Sequence, residues 1–228
     1  MPRPLSQRIE RRYVFAIALA IALIIILSNL LFMFYNRGFY YSEYKKLSLY
    51  EETNETTARY ATENMLDYLT GNTAVLNDFF SEKEKQHLSD VKNLIFVLKI
   101  KIAALFVILG CLCFFFYKHQ KKRKFSNLGN VIKKNLFSIL IVQGLIMAFL
   151  LVFAFLLRDS FDSLFITFHQ MFFANNNWLL DPNVDKLILL LPKAFFVHAT
   201  ATIVIRSFFI CTILLVIGLI LRYFSNKK

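Results

Sequence analysis

The sequence predicts an all-α membrane protein with four transmembrane helices, both termini inside, and an outer-side helical cap formed by two extracytoplasmic loops. Three observations lead there. Four apolar runs are each long enough to cross a bilayer, which takes roughly 20 residues. The basic residues collect beside those runs. The composition, 57% hydrophobic with 26 Phe and only 18% charged, exceeds what a soluble domain of 228 residues needs. A net charge of +12 would suggest nucleic acid in a soluble chain. Here the cations flank apolar runs and no base-reading module accompanies them, so nucleic acid is excluded as a partner.

The first span is read at about 13–35 and carries no charge. Its apolar run is far longer than a signal-peptide core of roughly 7–15 residues, so it reads as an uncleaved anchor. An outer loop of about 36–93 follows, with seven basic and ten acidic residues. Within it Leu47–Tyr50 and Tyr60–Leu69 carry helical patterning, and Gly71-Asn72 stops it. Ser81-Glu82-Lys83-Glu84 has capping-box spacing, so a new helix should begin there, carry His87 and Asp90, and run into the second span at about 94–117. The segment 118–134 holds seven basic residues and no acid. The third span is read at about 135–157, an outer loop at about 158–194, and the fourth span at about 195–221, the whole forming one membrane domain. Lys and Arg concentrate on cytoplasmic segments, which places both tails and the 118–134 segment inside.

The second outer loop contains Phe161–Phe173, rich in Phe and too short for a fifth span. Asn175-Asn176-Asn177 interrupts it and Trp178 suits an interface. Asp181-Pro182 should start a helix as N-cap and first helical residue, and Leu187–Leu191 continues as an apolar turn. The expectation is two short helices lying in the outer leaflet. Cys111, Cys113 and Cys211 all fall inside spans and read as packing residues.

Candidate chemistry rests on the histidines. His87 and His169 stand at one expected depth on different elements, and an imidazole among apolar residues is costly unless used. His119 lies among lysines and reads as structural. Asp90 follows His87 by three, on its helix face. Asp185 is either a second orienting carboxylate or a helix cap. Either aspartate could fix an imidazole tautomer. His198, Thr202 and Arg206 form a polar stripe at i, i+4, i+8, which should look into the bundle and hold a lipid oxygen or serve packing. No zinc pattern, phosphate loop or nucleophile elbow occurs. A site here is therefore expected to use two histidines, with no metal, no cofactor and no covalent intermediate.

The blocks Ser81-Glu82, His87-Leu88-Ser89-Asp90-Val91-Lys92, Phe168-His169-Gln170-Met171-Phe172-Phe173, Trp178-Leu179-Leu180-Asp181-Pro182, Asp185 and Leu191-Pro192 resemble those of the bacterial lipoprotein intramolecular transacylase (Lit) family. The likeness covers about 80–92 and 165–196, and the four-span layout extends it over the chain. The resemblance implies an acyltransferase of the bacterial cytoplasmic membrane working at the outer leaflet. Its substrate would be a lipoprotein whose N-terminal cysteine bears a diacylglyceryl group, its partners membrane lipids, and its product a lyso-form lipoprotein. The catalytic histidines would fall on His87 and His169. Asn176, Asn177 and Trp178 are candidates for the oxyanion donor such acyl transfer needs. Two other classes stay open at this point: a histidine-based lipid hydrolase or acyltransferase with another acceptor, and a non-catalytic accessory or transport protein. The oligomeric state is not legible.

Overall fold

The computed structural model describes residues 5–50, 54–121, 128–156 and 158–226. Among these every regular element is helical: α1 (Leu5–Met33), α2 (Arg37–Lys46), α3 (Glu55–Thr70), α4 (Glu82–Lys121), α5 (Leu128–Leu156), a 3-10 turn (Arg158–Ser160), α6 (Phe161–Phe172), α7 (Leu187–Leu190) and α8 (Lys193–Asn226). Four helices are long and apolar enough to cross a membrane, over Gln7–Met33, Glu82–Lys121, Asn135–Leu156 and Lys193–Phe224. The chain is thus an all-α, multi-pass membrane protein. Most of the basic segment expected at 118–134 lies outside the described residues or has undescribed side chains.

Two compact units divide the chain. The first comprises 1–28, 101–155 and 204–228. Its core is apolar and built on small residues. Ala18 and Ala22 of α1 are buried, the first beside Val14, Ile17 and Ile139, the second beside Met147 and Cys211. Small side chains let helix backbones approach closely where lipid supplies no hydrophobic drive. At Gly218 of α8 a Cβ would lie 2.3 Å from a Leu140 methyl of α5. Gln143 is fully buried and donates to Cys211 Sγ at 3.1 Å. Cys111 and Cys113 do not pack inside the protein, as expected from sequence, but lie exposed on α4, where an apolar solvent such as lipid suits them. The ring of His119 stands 6.1 Å from that of Tyr13 rather than among lysines alone.

The second unit comprises 29–100 and 156–203. Its core joins Tyr40 and Tyr44 of α2, Ala58, Ala61, Met65, Leu66 and Leu69 of α3, Leu88 and Ile95 of α4, Leu187 and Leu190 of α7, and Phe195 of α8. Local sequence sets its boundaries. Asn36 opens α2 by accepting from the Phe39 N–H at 3.3 Å, and Asn54 opens α3 by accepting from the N–H groups of Thr56 and Thr57. Gly71 closes α3 at φ 94°, a left-handed conformation costly for other residues.

Two expectations fail here. Leu47–Tyr50 is a turn, while the helix is α2 just before it. Tyr40 and Tyr44, one turn apart, bury the face that holds α2 in place. Pro182 does not start a helix. Asp181 closes a single turn, its carbonyl accepting from the Asp185 N–H at 2.8 Å, and the Asp185 carboxylate returns a bond to the Asp181 N–H at 2.7 Å. With its orphan donors met locally the chain turns instead of propagating, and α7 begins only at Leu187.

Candidate active site

The first turns of α4 anchor the site. The expected capping box forms: the Ser81 N–H donates to Glu84 Oε2 at 2.6 Å and the Glu84 N–H to Ser81 Oγ at 3.3 Å. Glu84 is 1% exposed, and its other oxygen accepts from the Leu187 N–H at the start of α7. Asp185 accepts from the Ser81 hydroxyl at 3.4 Å, and the Lys83 ammonium donates to the Leu179 carbonyl. Residues 179–187 are thereby strapped onto the N-terminus of α4, and His87 sits one turn further along.

On α6, His169 faces His87 with ring centroids 6.0 Å apart and planes inclined by 34°. Both imidazoles are buried. Aromatic rings surround them: Phe165 at 4.2 Å, Trp178 at 5.0 Å, Phe168 and Phe173 at 5.5 Å from His169, and Phe173 at 5.1 Å from His87. α6 is joined to its neighbours by Asp162 to Lys193 at 2.6 Å, and the segment just after it by Asn175 to Asp90 at 2.8 Å.

The two rings are wired differently. His169 Nδ1 lies 2.7 Å from the Phe165 carbonyl. A carbonyl only accepts, so Nδ1 carries the proton and Nε2 keeps its lone pair. Burial pushes the His169 pKa below its ordinary value, with the Phe165 carbonyl pulling weakly the other way. The ring is accordingly neutral at neutral pH. His87 Nδ1 is buried with no hydrogen-bond partner. A buried nitrogen left open is costly, and such groups mark sites where a further partner enters. A neutral imidazole with a free lone pair beside a second, unsatisfied imidazole can take up and pass on one proton.

The other expected site residues divide. Asp90 holds Asn175 rather than an imidazole, and Asp185 serves the Asp181 turn and Ser81. Both are therefore ties in the scaffold, because each carboxylate meets nearer donors before any histidine. Trp178 lies against His169, whereas Asn176 and Asn177 bond within their own loop through the backbone. The stripe on α8 does not look wholly inward. His198 is half-exposed, with Nδ1 2.5 Å from the carboxylate of Glu43 on α2. Thr202 is half-buried, and Arg206 falls in the other unit with interactions of its own.

Glu43 was not anticipated. It is 1% exposed and also accepts from Lys46 at 2.6 Å. Burial raises its pKa, but the hydrogen bonds and charges of Lys46 and His198 pull further down, so it stays ionised. Its partner lies 155 positions away. Only a lone acid on the tyrosine face of α2 could have signalled it. Among the described residues no three His, Cys, Asp or Glu side chains gather to hold a metal ion.

A family model described as lipoprotein intramolecular transacylase Lit matches residues 15–196. The membrane integral lipoprotein intramolecular transacylase Lit from Bacillus cereus has a similar structure, with TM-score 0.68, 20% identity, and coverage of 97% of this chain and 98% of that one. Its histidine-to-alanine variant superposes at TM-score 0.74 with 20% identity over 97% of each chain. Its histidine-to-arginine variant does so at 0.72 with 21% identity, covering 97% of this chain and 94% of that one. At such identities the likeness speaks for the fold. No curated protein matches the chain.

Proposed function

Because the chain belongs to the lipoprotein intramolecular transacylase family, matched over residues 15–196, we propose that its own reaction is O-to-N acyl transfer by the His87–His169 pair. The substrate is a lipoprotein with a diacylglyceryl group on its N-terminal cysteine and a free α-amine. The sn-2 acyl chain moves from glycerol oxygen to that amine, leaving a lyso-form lipoprotein. The observation that carries this reading is the approach of the two imidazoles to 6.0 Å inside an aromatic wall. That gap suits one bridging substrate group.

The amine nitrogen attacks the ester carbonyl. Its reference pKa, about 7.7–8.0, leaves part of it neutral at pH 7. His169 accepts the amine proton at Nε2. The C–O bond to glycerol then breaks, and one proton must reach that oxygen. His87, whose open Nδ1 suits a substrate contact, relays it there with His169, and the pair ends as it began. Attacking and leaving groups share one molecule, so orientation can supply on the order of 7–11 kcal/mol without a covalent enzyme intermediate. Trp178, whose indole ring lies 5.0 Å from that of His169 and carries an N–H donor, suits the oxyanion better than Asn176 or Asn177. The phenylalanines exclude water, the competing acceptor.

The ester of a membrane-anchored lipoprotein lies at glycerol level, so the pair works at the outer leaflet of the cytoplasmic membrane. Charge asymmetry supports that side. A membrane-impermeant thiol reagent is then expected to label Asn72→Cys and not Ser126→Cys in intact cells; the reverse pattern puts the site on the wrong face. Mass spectrometry of a lipoprotein N-terminus, with and without this protein, tests the chemistry. The expected product keeps both acyl chains, one of them on nitrogen. Release of free fatty acid, or an unchanged free amine, counts against the transfer.

A further inference from the structure

We propose that residues 161–178 form a gate in the outer leaflet, which swings aside to admit the lipoprotein from the membrane and takes His169 away from His87 as it does so. The proposal rests on the transacylase reading above. Its basis is access. His87 is 7% exposed and His169 8%. A substrate with two acyl chains and a peptide cannot reach imidazoles so covered, so part of their wall must move. The α4 side of that wall is fixed. His87 follows the capping box, Leu88 and Ile95 lie in the core, and residues 179–187 are tied down through Glu84 and Asp185. The α6 side is lightly held. Of the twelve residues of α6 only His169 is buried. Among the described residues, two hydrogen bonds join 161–178 to other helices: Asp162 with Lys193 of α8 and Asn175 with Asp90 of α4, both exposed. Exposed ties of this kind contribute little.

The surroundings make the movement inexpensive. α6 shows Leu164, Ile166, Phe168, Met171 and Phe172 outward. At the outer leaflet that face meets hydrocarbon. The contacts given up on opening, such as Phe165 on Phe196 at 5.3 Å and Phe173 on His87 at 5.1 Å, are replaced by contacts with acyl chains. Lipid is as apolar as the wall, so no hydrophobic drive holds the gate shut, and packing alone closes it. The 3-10 turn at Arg158–Ser160 and the segment from Leu179, held by Lys83, mark its two ends. Opening parts the base from its partner. The pair therefore acts only once 161–178 has closed over a substrate, with water left outside.

The test ties the gate down at Asn175. With Cys111, Cys113 and Cys211 replaced by Ala, Asp90→Cys and Asn175→Cys are bridged by a short bis-methanethiosulfonate, and reductant cuts the bridge. The probe is a synthetic diacylglyceryl-cysteinyl peptide in nanodiscs, whose thioether survives reduction. The bridged protein is compared with the same protein reduced, so the effects of the substitutions cancel. Bridging is expected to weaken Kd and lower turnover by about tenfold or more, because binding scales with the fraction able to open, and reduction should restore both. A bridged protein that binds and turns over like its reduced form overturns the proposal. Asp162→Ala removes the other tie. Modification of His169 by diethyl pyrocarbonate should then quicken about two- to fivefold, the worth of an exposed ion pair. An unchanged rate counts against the gate, and decides alone if the cysteine pair does not fold or bridge. A reduced protein that binds the peptide but forms no lyso product defeats the transacylase reading instead, while the Kd comparison still decides this one.

Discussion

The two ends of α4 answer to different solvents. Its first turns are held by protein: Glu84, His87, Leu88 and Ile95 are buried, and hydrogen bonds tie the helix start to residues more than 90 positions away. Its later turns, from Phe106 through Phe115, show most of their large apolar side chains to the surroundings. A soluble helix could not afford that exposure; a helix in hydrocarbon needs it. Backbone and apolar bulk suffice for the second part. The first part needs specific partners, and it is where the histidine pair stands. Polar groups that must be paired define geometry, whereas apolar groups against lipid only define a boundary.

The sharpest way to break this comparison is to remove chemistry from the first turns. His87→Ala and His169→Ala are each expected to lower lyso-lipoprotein formation by about 10²–10⁴-fold, the range of acid–base catalysis, while the protein still inserts. His119→Ala should leave conversion unchanged. Conversion near normal in either outer variant defeats the paired mechanism. Next comes the scaffold. Glu84→Ala strands the N–H groups of Ser81 and Leu187. Thermal unfolding in detergent should show a loss of about 1–3 kcal/mol, chiefly from the buried Leu187 donor left open. A melting curve like wild type would mean that the strap onto α4 is not needed.

In the apolar unit the lever is volume. Gly218→Val drives a side chain into Leu140, and overpacking of this kind costs about 1–2 kcal/mol. It should lower the melting temperature while leaving KM unchanged. The mildest effect comes from pH. His169, with its pKa below the ordinary value, stays neutral through neutral pH and loses its basic form only as pH falls through that lowered pKa. The acid limb of kcat/KM should therefore follow the substrate amine, about 7.7–8.0, falling about tenfold per unit below it. A midpoint near 6.5 would instead mean an ordinary, solvated histidine.

Sequence by itself determined the four spans, since length and apolarity dictate helices in lipid whatever packs beside them. It determined the α4 start as well, because Ser81 and Glu84 are three residues apart and cap each other locally. The blocks around His87 and His169 also pointed to the family. What only the tertiary structure decided is the set of long-range partners. Asp90 met Asn175, Asp185 met Ser81, and Glu43 met His198, over 85, 104 and 155 positions respectively. Hydrogen bonding depends on which groups packing brings within about 3 Å, and a list of carboxylates carries no such distance. The same holds for Cys111 and Cys113, whose outward direction depends on neighbouring helices, and for Pro182, where the Asp185 carboxylate bonded back to the Asp181 N–H and closed the turn before a helix could grow.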